Sequence, residues 1–449
     1  MVLASDLVMP SRPKKSTPKT RAAKPKAARP KAKATTRPKA TTKTVTKPKA
    51  KPKAARPQAR AAATPRAAPT TRRKPAAAAA PASKAPPRLT RVAGSPGSPW
   101  PERKLDPRLA DLIRRLIKVE LHLHIEGTLE PELAFALAAR HGIALPYPTV
   151  EALRAAYSFG DLQSFLDLYY ATCDVLRDRS DFYTLAMAYF ARAHADNIVH
   201  AELFFDPQTH TSRGVPLAEV IGGLRDAMAD AERRYGITSE LILCFLRHLP
   251  EEDALATLEA ALPFRSDLAG VGLDSGERGN PPSNFVRVFA RAKSLGFRLV
   301  AHAGEEGPAE YIQQALDLLQ VERIDHGVRC DEDPALVERL VRERVPLTVC
   351  PLSNVKLRVF PRLADHNLAR LLARGVNVTI HSDDPAYFGG YLGENFRACA
   401  AELNLGARQL TALCENAIRA SFLPATEKAT HLSRLRRAVA QWTMGSLLH

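Results

Sequence analysis

Cysteine is scarce in this chain and never closely paired: Cys173, Cys244, Cys330, Cys350, Cys399 and Cys414 form no CxxC spacing. That argues against a cysteine zinc site and leaves reduced, mostly buried thiols as the expectation. No run of eighteen apolar residues occurs, and no signal-peptide apolar core precedes the rest. The reading is therefore a soluble cytoplasmic protein without a membrane span. The first hundred residues lack acids and aromatics: Asp6 is the one acidic residue and Trp100 the first aromatic, yet 26 of the 65 Lys+Arg and 17 of the 35 prolines fall there. A segment so poor in apolar mass cannot offset its ordering entropy, so residues 1–104 are expected to be disordered.

A four-residue unit recurs in this extension, KPKA at Lys24, Lys47 and Lys51 and RPKA at Arg29 and Arg37. Proline blocks helix and favours an extended path, which keeps the cations spread and solvated. Three readings stand: a solvated linker or a start assigned too early, an arm contacting nucleic acid or another polyanion without reading sequence, and an organellar transit peptide. Setting the first hundred residues aside removes 26 of 65 cations and one of 47 acids, leaving 39 basic against 46 acidic residues. The net charge of +18 thus belongs to the extension and says nothing about an active site.

Residues 105–449 read as one folded domain. Short apolar or β-branched runs alternate with helical patterns, and eight strands are expected at Val119–His124, Ile198–Phe205, Glu240–Leu246, Ala269–Asp274, Arg298–Ala303, Arg323–Val328, Pro346–Cys350 and Asn377–His381. Helical stretches include Asp181–His194, Leu217–Arg234, Pro334–Arg342 and Leu363–Ala373. Eight strands with intervening helices predict a (β/α)₈ barrel, whose reactive groups should sit at the carboxyl ends of the strands. His122 and His124 end the first, Asp274 the fourth and "AHAGEE", with His302 and Glu305, the fifth. "IDHG" with His326 ends the sixth, "CPLSN" the seventh, and the eighth runs into "HSDDP" with Asp383 and Asp384.

In "VELHLHIEGTLEPE" (Val119 to Glu132), Glu120, His122, His124 and Glu126 alternate with apolar residues and so share one strand face. A lone inward histidine is more often a satisfied core residue, but two on one strand, joined by His302 and Asp383, call for a shared partner. Three imidazoles and one carboxylate suit Zn²⁺ with an open position for water. The fourth strand offers no lysine for a bridged pair of ions, so one Zn²⁺ per chain is expected. His381 is read as core or as support behind the ligands.

Together, HxH on the first strand, HAGE, IDHG and SDDP make Lys118–Gln441 similar to the adenosine/adenine deaminase family. The resemblance implies a mononuclear zinc aminohydrolase on a (β/α)₈ barrel that converts a 6-aminopurine to a 6-oxopurine and ammonia. It implies His122, His124, His302 and Asp383 as zinc ligands and Glu305 as the acid that protonates purine N1. His326 would orient and deprotonate the water, and Asp384 would face N7. Leu162, Phe165 and Tyr169, at helical spacing in "SFGDLQSFLDLYYATCDVL", either lid the purine or form an ordinary core stripe.

Nucleoside-acting members carry HLHLDG, whose aspartate reaches the ribose; here the stretch reads HLHIEG. Glu126, one methylene longer, is expected to intrude into the sugar volume. "FFDPQTH" and "GLDSGERGNPP" resemble the adenine-type branch, with Gly276, or equally Ser275, on the purine N3 side and Glu126 or Glu277 accepting the imidazole N–H. Free adenine, as in purine salvage, is the expected substrate, with adenosine the alternative. A barrel reduced to a scaffold for a nucleic-acid-binding extension is the remote one.

Removing residues 1–104 should leave turnover unchanged and abolish any binding of the full chain to RNA or DNA. Such binding should fall steeply between low and moderate salt, without sequence preference. Filter binding and steady-state rates on both chains check this, and a truncated enzyme with a reduced rate would overturn the boundary.

Overall fold

The computed structural model describes residues 104–446, so the expected disorder of the basic extension concerns residues outside them. All eight expected strands are present: β1 Lys118–His124, β2 Ile198–Phe205, β3 Thr238–Leu246, β4 Gly270–Asp274, β5 Arg298–Ala303, β6 Arg323–His326, β7 Pro346–Val349 and β8 Asn377–Ile380. They pair in chain order, every neighbour parallel. The turn after β8 closes the ring onto β1, where Asp383 donates its N–H to His122 O at 3.0 Å and accepts from His124 N at 3.1 Å. The fold is a (β/α)₈ barrel.

Burial on both faces explains why strands such as Ile198–Phe205 and Gly270–Asp274 read as nearly continuous apolar runs. The pairing of β1 with β2 shifts register between Glu120 and Leu123. The two-residue alternation assumed for β1 is therefore interrupted next to His122. The expected helix Leu363–Ala373 is also corrected: a 3₁₀ turn, Leu363–Asp365, precedes a helix at Leu368–Ala373. Polar side chains break it, because His366 Nδ1 takes the Leu368 N–H at 3.0 Å and Asn367 Nδ2 donates to Val328 O at 2.7 Å. All six cysteines are free and buried, and among the described residues no helix is long and apolar enough to cross a membrane.

The barrel interior is plugged by charge as well as by apolar side chains. Arg323 of β6 is fully buried, donating to Glu202 Oε2 of β2 at 2.6 Å and to Leu121 O of β1 at 3.1 Å, with Phe422 stacked 4.7 Å away. Lys118, also buried, gives its ammonium to the carbonyls of Ile113, Leu116 and Asp196 at 2.7–3.0 Å, tying β1 to the helix Pro107–Arg115 that precedes it.

Glu202→Ala strands the Arg323 guanidinium in a dry interior, so it should lower the free energy of unfolding by roughly 3–5 kcal/mol. Urea unfolding followed by circular dichroism measures this; a loss below about 1 kcal/mol would show that the pair is dispensable.

Candidate active site

The strand ends converge on one cluster of donors. His122 Nε2 lies 3.2 Å from Asp383 Oδ1, His124 Nε2 lies 3.5 Å from the same oxygen, and His124 Nε2 and His302 Nε2 are 3.2 Å apart. His326 adjoins them, so that ligand atoms of His122, His302, His326 and Asp383 all fall within 4.8 Å of one another. Four donors bound at about 2.0–2.1 Å in a tetrahedron sit about 3.3 Å apart, close to these spacings. Two further observations fit a cation. His122 holds its Nδ1 against Thr348 O and Oγ1 at 3.2 and 3.0 Å, which points its buried Nε2 into the donor cluster beside Asp383. Burial opposes ionisation of Asp383, yet His122, His326 and His124 hold its carboxyl well below the usual range.

A polar layer supports these groups. Thr348 Oγ1, beside His122, donates to Asp325 Oδ1 at 2.7 Å. His381, read from the sequence as core or support, faces Glu120 Oε1 at 3.1 Å and Thr379 Oγ1 at 2.8 Å, away from the donor cluster. Glu120 also accepts the Ser382 N–H and hydroxyl, fixing the turn that carries Asp383. Ser275, His326 and Asp383 all have left-handed φ, 73°, 61° and 64°. Non-glycine residues held there cost about 1–3 kcal/mol each, which the surrounding network must absorb.

Beside the cluster, burial together with Asp383, Glu277 and Glu306 pushes the Glu305 carboxyl well above its ordinary pKa. Burial, with His122 close by, pulls the His326 imidazole down to about 3, so the ring is neutral. Asn354 joins the two, its amide nitrogen 3.3 Å from both Glu305 Oε1 and His326 Nδ1. Since His366 Nδ1 accepts the Leu368 N–H, its Nε2–H donates to Asn354 Oδ1 at 3.3 Å, which orients the amide. In that chain His326 Nδ1 is an acceptor and its proton sits on Nε2, facing Glu305 Oε2 at 3.5 Å and Asp383 Oδ2 at 3.8 Å. Asn354 lies in the "CPLSN" stretch, which carried a positional signal at a strand end but no role.

The cavity at the cluster is lined by Asp384, Asp274, Asp206 and Ser275 on its polar side and covered by Leu162, Phe165 and Tyr169. These three lie on helix Leu162–Thr172, whose start is set by a capping box between Asp161 and Ser164. Asp384 fits only because residue 127 is glycine: a Cβ there would stand 2.0 Å from Asp384 Oδ1.

Three expectations are corrected. Glu126 does not line the cavity; its Oε1 is taken by His210 Nε2 at 2.7 Å and the Asp206 N–H at 3.1 Å. Glu277 does not line the cavity either; its carboxylate accepts the N–H groups of Gly304, Glu305, Glu306 and Gly307 at 2.6–3.0 Å. Gly276 lines only an outer chamber, with Arg278, His248 and Asn280, while Ser275 lines both. Asp206 was missed, although it follows β2 directly and the strand-end rule applied to it.

Known proteins align with this chain over the barrel. The family model described as adenosine deaminase matches residues 117–438. An adenine deaminase of Cupriavidus necator is 63% identical over 331 residues, 74% of this chain and 94% of the relative. The crystal structure of an adenine deaminase from Arthrobacter aurescens superposes with TM-score 0.72 at 53% identity, covering 72% of this chain and 99% of that one. An amidohydrolase from Burkholderia ambifaria, solved with bound Zn, gives TM-score 0.73 at 26% identity over 79% and 100% of the two chains.

Glu277→Gln turns an amide NH₂ toward the row of N–H donors at Gly304–Gly307. It should cost roughly 1–3 kcal/mol of stability and speed amide hydrogen exchange along that segment. Unchanged exchange at those four amides would remove Glu277 from the support of the loop.

Proposed function

This chain belongs to the adenosine deaminase family, and from that premise we propose that it hydrolyses free adenine to hypoxanthine and ammonia. The observation that carries the reading is that His122, His124, His302 and Asp383 converge within 3.2–3.5 Å beside Glu305, whose carboxyl is pushed well above its ordinary pKa by burial, on one cavity. Adenine is favoured over adenosine here because relatives at 62–63% identity are named adenine deaminase.

His122, His124, His302 and Asp383 would hold one Zn²⁺. Such an ion supplies Lewis-acid activation of water near neutral pH. Glu305 keeps a proton because its surroundings are dry and negative, and it gives that proton to N1 as the water oxygen adds to C6. The ring nitrogen thereby accepts the electrons displaced from the C6–N1 bond, and the 6-amino group departs as ammonia once protonated. In the tautomer set by Asn354, His326 is a donor through Nε2 and orients the attacking oxygen. Its further role as base requires the other tautomer, with the Asn354 amide turned. Asp384, held against Gly127, faces the N7 edge, while Leu162, Phe165 and Tyr169 exclude water from above. Nucleic-acid contact by the extension rests on its 26 cations against one acid.

Purified protein given adenine, adenosine and AMP, followed by ultraviolet absorbance, should deaminate adenine with a kcat/KM at least tenfold above that for adenosine; the reverse order would reject the assignment. His302→Ala should lose bound zinc, whereas Glu305→Gln should retain one equivalent and lose about 100-fold or more in kcat. Two equivalents of zinc at full activity would contradict a single ion.

A further inference from the structure

Besides Glu305 and Asp383, three carboxyl groups line the inner cavity, and each of them, Asp206, Asp274 and Asp384, has a buried oxygen without a hydrogen-bond partner among the described residues. Asp274 Oδ2 stands 3.5 Å from His124 Nδ1, and Asp384 is clamped against Gly127 on the side read above as the N7 edge. Asp206 is set apart by what holds it, a hydroxyl on one oxygen and a buried carboxylate behind its backbone. It is 3% exposed, its Oδ2 meets the Tyr169 hydroxyl at 3.4 Å, and its Oδ1 is buried without a hydrogen-bond partner among the described residues while the residue lines the cavity. A buried carboxyl oxygen left unmatched in a small-molecule cavity is a place for an N–H donor of the ligand.

Its position is fixed from behind. The Asp206 N–H donates to Glu126 Oε1 at 3.1 Å, and the same oxygen receives His210 Nε2 at 2.7 Å. Arg213 Nη2 lies 2.8 Å from His210 Nδ1, so that nitrogen is the acceptor and Nε2 carries the proton. Phe182 packs edge-on against the His210 ring at 4.8 Å. Glu126 therefore acts as a positioning residue, and Asp206 is the group that it presents to the ligand.

We propose that Asp206 determines the choice of free base over nucleoside by accepting the imidazole N–H of adenine through Oδ1. This rests on the reading of the chain as an adenine deaminase. A free 6-aminopurine has an imidazole proton, carried at N9 when N7 serves as an acceptor. A 9-substituted purine has carbon at that position. It would leave the buried oxygen unmatched and press its substituent against Asp206 and Tyr169. Sites built to pair a buried polar group discriminate strongly against analogues that lack the partner.

The test compares adenine with 9-methyladenine, which removes the proton and adds one methyl group, in wild type, Asp206→Asn and Asp206→Ala. Asp206 makes no side-chain cap to the helix Pro207–Thr211 that follows, so neither change removes a helix contact. Wild type should prefer adenine by about 10- to 100-fold in kcat/KM or more. In Asp206→Ala adenine should lose most of that factor, so the preference collapses toward parity while bound zinc is unchanged, whereas Asp206→Asn, whose amide oxygen still accepts, should lose less of it. Inhibition by hypoxanthine and 9-methylhypoxanthine should shift in the same way, and it carries the comparison where 9-methyladenine turns over too slowly to measure. A preference retained in both variants, or an equal loss for both substrates, would overturn the role of Asp206. Wild type inactive on adenine would instead reject the assignment of the enzyme itself.

Discussion

One backbone exchange governs the site. Asp383 gives its N–H to His122 O and takes the N–H of His124, and these two bonds join the end of the eighth strand to the first. The same contact that closes the barrel lays a carboxylate against two imidazoles, with Oδ1 at 3.2 and 3.5 Å from their Nε2 atoms. Asp383 accepts a left-handed backbone to do so, at φ 64°, and Glu120 holds the adjoining Ser382 by backbone and side chain. Barrel closure and assembly of the donor cluster are therefore one event, and damage to either should be felt in both.

Around that exchange, the groups at the cavity are held by buried polar neighbours behind them. Thr348 and Asp325 stand behind His122, Asn354 and His366 behind His326 and Glu305, Glu277 beneath Gly304–Gly307, and Glu126 with His210 behind Asp206. Arg247, itself buried, ties the His302 carbonyl at 2.7 Å to the Asn280 carbonyl at 2.8 Å. Strained strand ends need such support, because a reacting group displaced by an ångström loses much of its effect.

Dryness gives the arrangement its chemistry. Burial raises Glu305 and lowers His326, while Asp383, surrounded by imidazoles, stays ionised although it is equally buried. Two carboxyl groups that both face His326 Nε2 are thus shifted in opposite directions, by their neighbours rather than by their own chemistry.

The sequence by itself determined the barrel and the identity of the groups at its carboxyl rim. Strand and helix periods are local, and the rule that barrel strands end in functional residues turns position along the chain into position in space. His122, His302, Glu305, His326 and Asp383 were legible for that reason, and Asp206 could have been. Only the tertiary structure decided which carboxylates face the cavity. Glu126 and Glu277 are close in sequence to the site yet spend their oxygens on His210 and on backbone amides, and His366 ends a helical pattern in order to reach Asn354. A side chain's direction depends on partners tens to hundreds of residues away, and no local period encodes those partners.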